Sequence, residues 1–119
     1  MNRNDPPTEH ILACLSSSPS NAKIVRTAAT MAKAFGGTFT ALYVRTPDSD
    51  QMGKEDCRRL QQHIRMAEQA GADISTIYGD DIPQQIAEFA RISGITKIVL
   101  GRSSVHPVSY THLRAHETR

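Results

Sequence analysis

Three consecutive serines, Ser16-Ser17-Ser18, follow a short apolar run and stand just ahead of a helical pattern. Their hydroxyls and backbone N–H groups are donors near a helix N-terminus, a natural seat for phosphate. Taken alone, they are better explained as turn and capping residues. Phe39 and Tyr43 stand four apart in a β-rich stretch and so share one strand face, with Ala41 between them leaving room for a flat group. Phe39 reads as core, whereas Tyr43, near the carboxyl end of its strand, can stack on or hydrogen-bond a base. Gly101 permits close backbone approach, and Arg102, followed by Ser103, can pair a phosphate or be solvated.

Catalytic patterns are missing from the sequence: it has no nucleophile elbow, Walker loop or G-x-G-x-x-G. Asp80 and Asp81 are adjacent carboxylates ahead of a helix, where capping explains them better than acid–base work. His10 and His63 stand far from any Ser-His-Asp arrangement, and His63 is expected on a helix surface. Cys14 and Cys57 make neither a metal pair nor a disulfide framework. Of His106, His112 and His116, only the last two have the four-residue spacing of ligands on one helical face, and no further residue completes a set.

The elements that must position these residues alternate. His10–Leu15 is a short apolar run suited to a buried strand. Ser20 or Asn21 is a candidate N-cap for a helix whose inner face is Ile24, Val25, Ala28, Met31, Ala32 and Phe35, closed by Gly36-Gly37. Thr38–Arg45 is a second strand. A polar helix over about 51–70 follows, with a predicted buried stripe of Cys57, Leu60, Ile64 and Ala67 and an outer face carrying Lys54, Arg58, Arg59 and Arg65. Asp73–Tyr78 is a third strand. A helix with Pro83 in its first turn and Gly94 at its end leads to a fourth strand, Thr96–Leu100. The order β-α-β-α-β-α-β predicts an α/β doubly wound parallel sheet with helices on both faces. Ligands in such sheets bind beyond the carboxyl ends of the strands, where strand order reverses. That rule nominates Ser16–Ser18, the end of strand two near Tyr43–Arg45, and Gly101–Ser104.

With 119 residues the chain has room for one domain. Residues 1–8 are expected to be a disordered tail or linker, 9–104 the domain, and 105–119 a non-native or disordered tail. Without that last segment the charges are 12 basic and 11 acidic, so no nucleic-acid partner is expected. No apolar run approaches the roughly 18 residues of a membrane segment, no signal peptide is evident, and the cysteine usage fits a reducing compartment.

The stretch from Glu9 to Ser104 resembles a universal stress protein domain, of the kind embedded in the cytoplasmic part of KdpD-type sensor histidine kinases, which control potassium uptake. In that family the pattern S-x-S, twenty residues, F-T-A-x-Y marks domains that bind the second messenger cyclic di-AMP. Here Ser16-Ser17-Ser18 is followed by twenty residues and then Phe39-Thr40-Ala41-Leu42-Tyr43. The resemblance therefore implies a ligand set of Ser16, Ser18, Phe39, Thr40, Ala41 and Tyr43. It implies a non-catalytic, cytoplasmic sensing domain with no cofactor, whose partners are cyclic di-AMP and the rest of a membrane-anchored kinase. On this reading, Tyr43→Ala or a bulky residue at position 41 should lower affinity in a folded domain.

ATP-binding members of the family usually carry Asp where Ser16 stands. Their glycine pattern G-x2-G-x9-G-[S/T], begun at Gly101, fails at Ser104, Arg114 and Ala115, which disfavours ATP. An ATP- or AMP-binding stress protein and a purely structural interaction module of the kinase are the alternatives. The family continues into a further helix and a fifth strand that often mediates dimers. Residues 105–119 replace them here, leaving a homodimer open and the edge of strand four exposed.

Overall fold

A computed structural model describes residues 9–100 and 105–107. Its elements are β1 (His10–Cys14), α1 (Asn21–Phe35), β2 (Thr38–Arg45), a single 3-10 turn (Ser49–Gln51), α2 (Lys54–Gln69), β3 (Asp73–Tyr78), α3 (Ile82–Ser93), β4 (Lys97–Val99) and β5 (Val105–Pro107). The sheet order is β3-β2-β1-β4-β5. Strands β1 to β4 pair in parallel, with Ile11 opposite Phe39 on one side and Lys97 on the other. The predicted α/β doubly wound architecture is present.

Alternation along the strands builds two cores. Ile11, Ala13, Phe39, Ala41 and Val99 face α1 and α2, where Ile24, Val25, Ala28, Leu60 and Ala67 meet them. Leu12, Leu42 and Val44 face the other way and pack with Ala90 and Ile95, with Ile86 and Phe89 of α3 against them. Strands covered on both faces must be apolar throughout, which is why HILAC shows no polar alternation.

Gly36 ends α1 in the left-handed conformation, and its neighbour Gly37 passes so close to β1 that a Cβ there would lie 2.1 Å from the Glu9 carbonyl oxygen. Asp81 caps α3 by accepting from the Gln84 N–H at 3.3 Å, as its place ahead of a helix suggested.

Three expectations change, one of them at Phe35, which was placed on the inner face of α1 and is 50 % exposed. The edge of β4 is not open: Val105–Pro107 pairs antiparallel along all three of its residues. Parallel return requires a dozen or more residues, and only 100–104 separate the two strands, so the chain reverses. These three residues belong to the segment set aside as a tail; 108–119 and 1–8 lie outside the described residues. The stripe of α2 also differs: Leu60, His63 and Ala67 are buried and Cys57 is exposed.

A polar cluster ties the amino-terminal ends of the strands. Glu9 Oε1 accepts from Thr96 Oγ1 at 2.6 Å and from Lys97 Nζ at 3.1 Å, while Thr96 Oγ1 also accepts from the His10 N–H at 3.0 Å. The Thr96 hydroxyl and then Lys97 hold the Glu9 carboxyl below its ordinary range. A carboxyl lowered in the folded state contributes stability that is complete above the unfolded-chain Glu range and fades as pH falls through the folded value. The stability gap between the wild type and Glu9→Gln, read from urea midpoints, should therefore be constant near neutrality and close between pH 5 and 3, roughly the Glu titration range.

Candidate functional site

The carboxyl ends of β1, β2 and β4 open into a cleft of about 410 Å³, within the range of small-molecule sites. It lies where the strand order predicts: the chain steps from β1 to β2 on one side and returns to β4 on the other, leaving a crevice between. One wall is the loop after β1, Leu15 to Ser18 with Ser20 and Asn21. Another is Leu42, Tyr43 and Val44 of β2 with Thr46 and Ser49. Met52, Ile82, Ile86, Val99 and Leu100 complete an apolar rim.

The serine loop has its own scaffold. Asn21 is buried to 1 % exposure and faces the chain that precedes it. Its Oδ1 accepts from the Ser16 N–H at 3.1 Å and its Nδ2 donates to the Cys14 carbonyl at 2.8 Å. Ser20 stands at the N-cap position of α1, as expected, but neither it nor Asn21 makes a side-chain capping bond. Ser16 Oγ accepts from the Ser18 N–H at 3.2 Å, and Ser18 Oγ pairs with Ser20 Oγ at 3.0 Å. The N–H of Leu15 bonds the Leu42 carbonyl at 2.7 Å, locking the loop's origin to β2.

On the β2 wall, Ser49 Oγ accepts from the Thr46 N–H at 2.9 Å and donates to the Thr46 carbonyl at 2.8 Å, closing a tight hydroxyl turn. Cys14 is half-buried, and desolvation pushes its thiol up to about 11, so it meets the cleft as a neutral wall and not as a thiolate.

The sequence-derived candidates separate. Ser16, Ser17, Ser18 and Tyr43 line the cleft together. Phe39 is buried, and it borders a groove at the opposite, amino-terminal end of β2 with Thr38, Gly71 and Asp73. Ala41 has no exposed surface and packs in the α1/α2 core, so it leaves no open slot. Thr40 pairs between Leu12 and Asp73 at mid-sheet, away from the cleft. Gly101, Arg102 and Ser103 lie outside the described residues.

Three contributors escape a reading by residue type. His63, expected at a helix surface, is 4 % exposed, and its Nδ1 donates to the Ser16 carbonyl at 2.8 Å. Arg59, placed on the outer face of α2, turns back to donate from Nη1 to the Ser17 carbonyl at 3.0 Å, held by Asp56 at 3.2 Å. Asn21 is the third. The available signal was spacing, since His63 stands three residues after Leu60 and four before Ala67.

Among the described residues no group of three or more His, Cys, Asp or Glu side chains could hold a metal, and no helix is long and apolar enough to cross a membrane.

The chain is 36 % identical over 108 residues to the sensor protein KdpD of Clostridium acetobutylicum, covering 91 % of this chain and 12 % of that one. It is 30 % identical over 92 residues to the sensor protein KdpD of Escherichia coli K12, covering 77 % and 10 %. It thus spans about a tenth of the length of these curated relatives. Among solved structures, a universal stress protein in complex with cAMP superposes with a TM-score of 0.62 at 15 % identity, over 80 % of this chain and 73 % of that one. The profile of the universal stress protein family matches residues 7–114, and the chain belongs to that family.

Proposed function

We propose that this chain is the ligand-sensing domain of a cytoplasmic, KdpD-type portion of a sensor kinase, and that its cleft binds cyclic di-AMP and thereby biases kinase output. The observation that carries the reading is the meeting of Ser16–Ser18 and Tyr43 in one cleft at the point where strand order reverses. Ser16 and Ser18 from the first half of the S-x-S…F-T-A-x-Y pattern and Tyr43 from the second, far apart in sequence, line it together. Support comes also from the KdpD relatives and from a family member whose structure holds cAMP, itself an adenine nucleotide.

The chemistry fits a binding role. Hydroxyls and N–H groups at the start of α1 suit phosphate, and the Tyr43 ring with the apolar rim suits adenine. In this reading Phe39, Thr40 and Ala41 take part through the strand that carries Tyr43 and not as lining of the cleft. In this proposal Gly101, Arg102 and Ser103, which follow β4 in the sequence, are further ligand contacts. A ligand that prefers one state of the larger protein shifts it toward that state, which is all that sensing requires.

Calorimetric titration with cyclic di-AMP, with ATP in parallel, tests the reading. Selective saturable binding is expected, and stoichiometry separates a one-domain site from one shared by a homodimer. Tyr43→Ala should weaken binding by about 1–3 kcal/mol, the worth of one base–aromatic stack, while its circular dichroism remains that of a folded domain. Undiminished affinity in that variant would remove Tyr43 from the site. Preference for ATP would favour the nucleotide-binding stress-protein alternative. A melting temperature unmoved by any adenine nucleotide would favour a structural interaction module, since ligands of the folded state must stabilise it.

A further inference from the structure

We propose that α2 sets the polarity of the ligand loop: His63 and Arg59 are positioning residues that engage the Ser16 and Ser17 carbonyl oxygens, so that this stretch presents donors to an anion. The inference rests on the anion-binding part of the function proposed above. A loop at a strand's end carries acceptors as well as donors, and each carbonyl facing a phosphate would repel it. Here the carbonyls of Cys14, Ser16 and Ser17 are each taken by a side-chain donor: Asn21 Nδ2, His63 Nδ1 and Arg59 Nη1. The Ser18 carbonyl accepts from the Asn21 N–H at 2.9 Å. Four acceptors of this stretch, the carbonyls of Cys14, Ser16, Ser17 and Ser18, are thus engaged. Among the described residues nothing accepts from the Ser17 N–H, which remains available with the serine hydroxyls. Two of these donors come from α2, His63 standing 47 residues beyond Ser16 and Arg59 42 residues beyond Ser17. His63 is buried and so holds its carbonyl in a low-dielectric setting, where such a bond is strongest.

The test separates the donor from the bulk. Asn carries its amide nitrogen where His carries Nδ1, whereas Leu fills the space with no donor. In the whole chain, His63→Asn should bind cyclic di-AMP within about threefold of the wild type, and His63→Leu should bind at least about tenfold more weakly, a loss of 1.4 kcal/mol. The amide signals of Ser16–Ser18 in a nitrogen-15 correlation spectrum should move in His63→Leu and stay in His63→Asn. Arg59→Met, which keeps the apolar stem, should move the Ser17 and Ser18 signals and does not depend on His63→Leu folding. Equal weakening by Asn and Leu, or wild-type binding by Leu, would overturn the inference. If the wild type binds no cyclic di-AMP, the ligand assignment fails by itself. The amide comparison then still decides the positioning role, and unmoved Ser16–Ser18 signals in His63→Leu and Arg59→Met refute it.

Discussion

Asn21→Leu should cost about 2–4 kcal/mol of folding stability and should also abolish ligand binding. The magnitude follows from two part-buried backbone groups, the Ser16 N–H and the Cys14 carbonyl, that lose their partner together, each unsatisfied group costing about 1–3 kcal/mol. The added apolar burial of Leu offsets a part of this. For a domain with a total stability of about 5–15 kcal/mol the loss is large. Asn21→Asp isolates the two contacts: a carboxylate still accepts from Ser16 N–H but faces the Cys14 carbonyl with a second acceptor, at 1 % exposure. It should therefore be at least as damaging as Leu near neutral pH and less so in acid, where the protonated form can donate. Urea denaturation at pH 5 and pH 7, with cyclic di-AMP titration of whatever remains folded, reads both. A midpoint unchanged in Asn21→Leu would show that the loop after β1 does not depend on this amide.

Ala41→Phe should lower stability by about 3 kcal/mol or more, because the side chain enters a core with no space for it. Ala41 has no exposed surface and lies among Ile11, Ile24, Phe39 and Leu60. The expectation from sequence was different: a bulky residue at 41 would block a ligand in an otherwise sound domain. The structure reverses the order of cause, so that binding and fold should be lost together in Ala41→Phe and apart in Tyr43→Ala. Thermal melts of both variants with and without cyclic di-AMP distinguish the cases. An Ala41→Phe protein as stable as wild type but unable to bind would place residue 41 against the ligand.

The architecture was legible because both of its signals are local. HILAC and TFTALYVR are apolar or β-branched runs bounded by turn residues, and Gly36, Gly71 and Gly94 mark helix ends at which positive φ is required. Parallel strands, two core faces and a cleft at the carboxyl ends follow from β-α alternation alone. The candidate site was legible in outline for the same reason: Ser16–Ser18 and Tyr43 sit at strand ends that topology must bring together. Residue type misled where the interior needed polarity. The outward placement of His63 assumed that an imidazole on a polar helix points to water. Its burial is possible because a backbone carbonyl of a distant loop waits there as its partner.

Periodicity and chain reversal are enough to set the order of elements, the face each strand residue takes and the end of the sheet at which the candidate cleft opens. Which polar groups serve as scaffold and which line the cleft emerges from long-range contacts in the folded chain. Asn21, Arg59 and His63 find their partners through contacts of the Cys14–Ser17 backbone, and no pattern in a linear chain records where an unpaired carbonyl will come to lie. The same is true of β5 at Val105–Pro107: its antiparallel direction follows from the short span after β4.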